Sequence, residues 1–446
     1  MLHGWGGAAP SRAHVVRPGS IDELTGLAAG PGATLARGLG RSYGDAAQCA
    51  GGTVIDCTGL DRILELDHDA GRVRVEAGCS LDALMRVIVP RGFFVPVTPG
   101  TRYVTVGGAI ASDVHGKNHH REGTITAHTE RLGLATPTGH LECSPDREPE
   151  LFWATAGGMG LTGVITDATL RLLPIETSAI RVDTERLGDL DACMARMSET
   201  DASHRYSVAW IDSLARGRHL GRAVLSGGDH AALSDLDDRR RASPLEFDPR
   251  PRLAVPVTPP VSLLNSLTVA AFNEGWFRKA PRRREGELQT ISAFFHPLDA
   301  VGRWNVLYGP RGFTQYQFVV PFGAERVVRT ALERLSAARV ASFLTVLKRF
   351  GDAGPGPLSF PRAGWTLALD LPLGTSGLPT LLDELDELVA EAGGRVYLAK
   401  DGRVRPEVLH AMYPRLAEWS AVRRRVDPTG VLDSDLAQRL GLTSDA

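Results

Sequence analysis

Three glycine-rich segments fall within the first 165 residues: "RGLGRSYGD" at 37–45, "TPGTRYVTVGGAI" at 98–110 and "GGMGLTG" at 157–163. Glycine lets backbone N–H groups approach an anion with no Cβ in the way. One such loop reads equally well as a tight turn between strands. Three of them predict a long ligand with a pyrophosphate in its middle, held extended along several stretches of backbone, as a dinucleotide is. The first segment matches neither the G-x-G-x-x-G fingerprint nor the G-x-x-x-x-G-K-[ST] loop, so ordinary Rossmann and NTPase readings are weak.

A chain of 446 residues exceeds what one hydrophobic core usually serves, and two domains are expected. The formal net charge of −2 leaves no basic surplus for a phosphate backbone, which argues against nucleic acid as a partner. No apolar run reaches the roughly 18–20 residues of a membrane span, and "MLHGWGGAAPSRAHVV" lacks the pattern of a secretory signal. Neither a signal peptide nor a transmembrane segment is expected; peripheral membrane contact stays open. Five cysteines, none in a CxxC pair, read as isolated packed thiols.

Local signals are clear in places. Residues 34–57 read as strand, glycine turn, loop, strand, and 72–78 alternate as a strand does. "SLDALMRVIVPRG" opens with a Ser80 cap, puts Leu81, Leu84, Met85 and Ile88 on one helical face, and closes at Gly92. Residues 149–174 read as helix, glycine turn, strand. After Pro174, helices are expected at 185–200, 324–340 and 381–394, and strands at 312–321 and 364–372. The Pro-, Arg- and Asp-rich stretch at about 227–290 reads as long, irregular and mobile.

"SDVHGKNHH", residues 112–120, offers metal, phosphate or a redox cofactor. Adjacent His119 and His120 diverge on either regular structure, and Gly116 with Asn118 disfavours the helix on which His115 and His119 would converge. No nearby Cys or carboxylate pair completes a ligand set, so no metal is expected. Ordinary hydrogen bonding or solvent exposure is the expectation for His119 and His120.

"GLGRSYGD", "PGTRYVTVGGAIASDVHGKNHH", "LFWATAGGMGLTG" and "YLAKDGR" at 397–403 together resemble the vanillyl-alcohol-oxidase superfamily of FAD enzymes. Within it they most resemble the actinobacterial decaprenylphosphoryl-β-D-ribose 2-oxidases, through essentially the whole chain. The resemblance implies an α+β, two-domain PCMH-type FAD-binding fold. The FAD-binding domain would be split between 1–178 and 395–446. A separate α+β substrate domain, built on an antiparallel sheet, would span 179–394 and contain the mobile region. By motif, the FAD contacts would be Arg37, Gly38, Leu39, Gly40, Arg41, Ser42, Tyr43, Gly44, Asp45 and Ala46 in the first loop. Gly100, Thr105, Val106, Gly107 and Gly108 would follow in the second, then His115, Gly116, Lys117 and Asn118, with Ile165 and Tyr397. Several superfamily members tether the flavin through a histidine where this chain has Arg41, so non-covalent FAD is expected, with Arg41 positioning the loop or a phosphate.

Oxidising a secondary alcohol removes a hydride from carbon and a proton from oxygen; FAD takes the first and the protein must take the second. Lys400 and His115 are the two candidate bases, and the sequence does not choose between them. Gln315 and Gln317 share one face of a strand and are placed to read sugar hydroxyls. Lys348 is expected to hold the lipid phosphate or the ring, Trp210 an apolar wall, and Tyr43, Thr366 and Ala368 the rest of the substrate face. The resemblance departs at two positions: Phe295 stands where relatives carry tyrosine, and Ala368 where they carry a cysteine near the flavin. The implied reaction is oxidation of the 2-hydroxyl of a decaprenylphosphoryl-ribose or close polyprenylphosphoryl pentose to the ketone. An NAD(P)H-dependent keto-reductase would complete an epimerisation that supplies arabinose for cell-wall arabinan. A lipid substrate implies peripheral contact with the membrane, on the cytoplasmic or the periplasmic face. The alternatives are an FAD oxidase of free alditols or aldonolactones, and a non-catalytic flavin-binding subunit.

Overall fold

A computed structural model describes residues 1–251 and 253–443. Three sheets organise the site. A three-stranded parallel sheet sets Thr53–Asp56 between His14–Val16 and Thr34–Arg37. A five-stranded antiparallel sheet runs in the order Ile63–Asp67, Arg72–Glu76, Val164–Arg171, Thr129–Thr136, Gly139–Cys143. The helix Leu81–Ile88 is capped by the Ser80 hydroxyl, which accepts from Ala83 N–H at 3.0 Å, and it buries the four apolar side chains its spacing picks out.

The third sheet has eight strands, all antiparallel, in the order Arg283–Thr290, Ala179–Leu187, Ala223–His230, Tyr206–Ile211, Thr345–Phe350, Gly364–Pro372, Phe313–Val320, Arg395–Val396. Successive side chains leave a strand on opposite faces, so the register sorts this sheet by function. Gln317 pairs with Ala368, Ala368 with Val346, Val346 with Trp210, and Trp210 with Val224. These residues share the face that lines the main cavity. Tyr316, Phe318, Leu367, Leu369 and Leu347 leave by the other face into a core covered by the helices Glu325–Ala337 and Leu378–Glu391.

Three expectations need correction. Residues 185–187 finish the strand Ala179–Leu187, and the helix begins only at Leu190; the half-exposed run "DTER" hid the alternation. The stretch 227–290 is not irregular: it holds the end of one strand, the helix Ser266–Lys279 and the edge strand Arg283–Thr290. Its charged sequence "RREGELQT" suits a strand paired on one side only. Arg395 and Val396 extend the eight-stranded sheet by pairing with Val319 and Phe318, so the chain leaves that sheet two residues later than the sequence boundary suggests.

Candidate active site

One cavity of about 840 Å³ runs between the glycine loops and the eight-stranded sheet. The strand Thr34–Arg37 delivers the first loop to its floor. Gly40 takes φ +61°, a backbone conformation that an L side chain strains to adopt. A Cβ on Gly38 would lie 2.2 Å from Thr105 Oγ1, so the first and second loops touch backbone to side chain. Thr105 Oγ1 in turn accepts from Gly108 N–H at 3.1 Å. Among the described residues, no protein acceptor takes the N–H groups of Leu39, Gly40, Arg41 and Ser42. Four consecutive open donors on a cavity wall are the cradle that a pyrophosphate needs. Arg37 braces it, donating to Ala47 O at 2.6 Å and His3 O at 2.8 Å. The Arg41 guanidinium lies 3.7 Å from the Trp5 ring centroid, and its buried Nε has no protein partner. Burial lowers its pKa, against the pull of Asp299. These residues fit an FAD, with the loop to hold its phosphates.

Where the first loop ends, Lys400 Nζ sits 4.0 Å from the centroid of Tyr43. The segment that carries it is tied down on both sides. Tyr397 N–H donates to Gln317 O at 3.0 Å, Tyr43 N–H donates to Ala399 O at 3.0 Å, and Tyr397 OH donates to Ser112 O at 2.7 Å. Gln315 Nε2 donates to the Tyr43 hydroxyl at 3.3 Å and to Asp370 Oδ1. Asp370 is fully buried, and its Oδ2 has no partner. Burial lowers the Lys400 pKa and raises that of Asp370, each opposed by the other's charge. Burial also pushes Lys348 down to about 8 and Lys117 to about 7. Lys117 donates to Phe294 O and lies 4.2 Å from that ring.

His115 is enclosed by Phe350, Phe360 and Tyr397, with ring centroids 4.7, 5.6 and 5.2 Å away. Gln317 Nε2 lies 3.0 Å from His115 Nε2 and 3.2 Å from Thr366 Oγ1. An amide nitrogen only donates, so His115 Nε2 accepts and the ring proton sits on Nδ1. Burial and nearby Lys348 hold this imidazole well below its usual pKa. With both amide nitrogens used inward, the side-chain oxygens of Gln315 and Gln317 remain as acceptors toward the cavity.

Most expected contacts reach this cavity: Arg37 to Tyr43 and Ala46, then Gly100, Thr105, Gly107, Gly108, His115, Gly116, Lys117, Ile165, Trp210, Gln315, Gln317, Lys348, Ala368, Tyr397 and Lys400. Trp210 lines it, with Nε1 donating to Phe343 O at 3.1 Å. Phe295 packs its ring among Phe94, Tyr206 and Phe294.

Five expected residues do not line it. Gly44 packs on the Asp401 backbone, where a Cβ would meet the carbonyl at 1.8 Å. Asp45 pairs with Arg439 at 2.8 Å. Val106 points into the core. Asn118 Nδ2 donates to Pro96 O at 2.8 Å, fixing its own loop. Thr366 lies beneath Gln317 and donates to Phe318 O at 2.9 Å. His119 and His120 are hydrogen-bonded rather than exposed: His119 Nδ1 accepts from Gly351 N–H at 3.2 Å, and His120 Nε2 meets His204 O at 3.1 Å. All five cysteines are buried free thiols, Cys49 pushed up to about 11 and the rest to about 12 by burial.

Sequence reading missed Trp5 and Asp370. Nothing local marks Trp5, whose role depends on a contact 36 residues away with Arg41. Asp370 did leave a signal: it is the one charge in the otherwise apolar strand "GWTLALDLP".

Comparison with known proteins gives a consistent picture. Residues 13–144 match the FAD binding domain family, and residues 378–440 match the D-arabinono-1,4-lactone oxidase family. The chain is 44% identical over 451 residues to a decaprenylphosphoryl-beta-D-ribose oxidase of Mycolicibacterium smegmatis, covering 99% of this chain and 97% of that one. It is 44% identical to an uncharacterized protein of Streptomyces coelicolor, covering 81% of this chain and all of the other. Cytokinin dehydrogenase 7 of Oryza sativa is 30% identical over 49% of this chain and 43% of its own length.

Proposed function

From the premise that this chain belongs to the decaprenylphosphoryl-β-D-ribose oxidase family, we propose that it oxidises the 2-hydroxyl of a decaprenylphosphoryl-β-D-ribose, or a close polyprenylphosphoryl pentose, to the ketone. When bound, FAD accepts the hydride from the substrate carbon. The observation that carries the reading is the meeting of Lys400, Gln315 and Gln317 with the glycine-loop cradle in one cavity.

The residues divide the remaining work. Lys400 is the proton acceptor: burial lowers its pKa toward neutrality, and it stands on the wall beside Tyr43. His115 suits the task less well. Its Nε2 lone pair is engaged by Gln317, and protonation would cost it a buried charge among three aromatic rings. The free oxygens of Gln315 and Gln317 accept from sugar hydroxyls. Lys348 supplies positive charge for the lipid phosphate, and Trp210 an apolar wall. The Arg41 side chain cannot form the flavin tether that a histidine makes, so the cofactor is held without a covalent bond. A keto-reductase follows in sequence, because the 2-keto sugar must be reduced on the opposite face to become the arabino epimer that cell-wall arabinan requires. The prenyl chain brings the protein to a membrane surface as a peripheral enzyme.

Anaerobic mixing of the yellow protein with a prenylphosphoryl-ribose tests this reading. Bleaching of the flavin absorbance, with flavin released intact by acid precipitation, is the expected result. The match of residues 378–440 to the D-arabinono-1,4-lactone oxidase family favours a second reading, an oxidase of free alditols or aldonolactones. Bleaching by a free lactone or alditol and not by the prenylphosphoryl sugar would establish it instead.

A further inference from the structure

We propose that the helix Ser266–Lys279, with the strap 253–263 before it, is the face by which this protein docks on an anionic lipid bilayer. The inference deepens the proposed function, since it rests on a lipid-linked substrate to explain why the cavity opens there.

Thirteen large apolar side chains are exposed among the described residues, and seven of them lie between 253 and 276. Leu253, Val257, Val261 and Leu267 are 70, 68, 67 and 78% exposed; Phe272 and Trp276 are each 45% exposed. Scattered exposed apolar residues need no explanation, but such a concentration marks an interaction surface. The helix leaves most of its large apolar side chains outside the core. Its buried face holds Val269 and Asn273, whose Nδ2 donates to Asp212 at 2.8 Å, while Leu267, Phe272 and Trp276 turn outward. The Phe272 and Trp276 rings stack one turn apart, at 6.0 Å and 18°.

Charge selects the occupant. Between 253 and 287 the chain carries five cations, Arg278, Lys279, Arg282, Arg283 and Arg284, against three acids, Glu274, Glu285 and Glu287, which pair with Arg278, Arg283 and Arg284. All five cations are exposed. An apolar helix face followed at once by a cationic cluster complements an anionic leaflet, with apolar side chains below the headgroups and cations among them. A second copy of the chain fits poorly, because a two-fold contact over this face would bring like charges together. The face is also continuous with the cavity, whose wall includes Phe272, Trp276, Lys279 and Pro281. A sugar held at Lys400 can therefore keep its prenyl chain in the bilayer.

The test is flotation of the flavin-loaded protein with vesicles of phosphatidylcholine plus phosphatidylglycerol, against phosphatidylcholine alone. The wild type is expected to bind the anionic vesicles, less so at high salt. Val257→Ser, Val261→Ser and Leu267→Ser combined change no residue that lines the cavity and are expected to weaken binding by roughly tenfold or more. Melting temperature and turnover of a short-chain, water-soluble prenylphosphoryl-ribose should be unchanged. Arg282→Gln with Arg283→Gln should remove the preference for the anionic lipid. Wild-type protein that ignores anionic vesicles, or a triple variant that binds like the wild type, overturns the proposal. So does a solution dimer that the triple variant dissolves. The two readings fail separately: vesicle binding without flavin reduction leaves the docking face standing, and turnover of the soluble substrate without vesicle binding leaves only the chemistry.

Discussion

Replacing Asp370 by asparagine tests the electrostatics around Lys400. The variant keeps the shape and an oxygen that can accept from Gln315 Nε2, and removes one charge from a fully buried position. Asp370 is the influence that holds the Lys400 pKa up against burial, while Lys348 pushes it further down. Removing the carboxylate charge must therefore lower the lysine's pKa. An opposite charge close enough to act on a buried amine shifts its pKa by about one to three units. Burial raises the Asp370 pKa toward neutrality, so only part of that charge acts near pH 7. A downward shift of about one unit is expected. For a neutral-amine proton acceptor, the acid limb of the kcat/KM profile reports this group and should move down by that amount. The measurement is stopped-flow flavin reduction across pH for both proteins. A limb that stays in place or moves up would refute the coupling. A shift confined to the alkaline limb would make Lys400 a charged anchor instead of the base.

Lys400→Ala should retain bound flavin and its spectrum while slowing reduction by about 10²–10⁴-fold, as loss of a general base does, seen in the same stopped-flow assay. Gly38→Ala forces a methyl against Thr105 Oγ1, so flavin content on purification should fall, and the melting temperature with it, by the equivalent of about 1–3 kcal/mol. Ala368→Cys puts a thiol on the cavity wall. Intact mass should then show one adduct with a small thiol reagent, whereas the native protein, with every cysteine buried and its thiol pKa raised, should show none under the same conditions.

Much of this site was legible because local chemistry wrote it. The Ser80 cap with Leu81, Leu84, Met85 and Ile88 specifies a helix without outside help, and the strand Gly364–Pro372 reads as an apolar run. Period-two spacing alone put Gln315 and Gln317 on one face. What stayed hidden depends on distant pairing. Thr366 is one strand away from Gln317, but only the register reveals that it supports the amide rather than the substrate. Asn118 turns toward Pro96, a direction no motif encodes. The helix Ser266–Lys279 escaped because periodicity arguments assume apolar residues face the core, and this one turns Leu267, Phe272 and Trp276 to solvent.

The crossing of Arg395 to Asp401 bears on how such an enzyme can be rebuilt. Within seven residues the backbone is stitched first to the strand Phe313–Val320 and then to the loop around Tyr43. The middle segment is thus no interchangeable cassette: a chimera that swapped 179–394 from another oxidase would re-aim the amine at position 400 even with every residue around it kept. New sugar preferences are better sought by altering single side chains on the sheet face than by grafting whole segments.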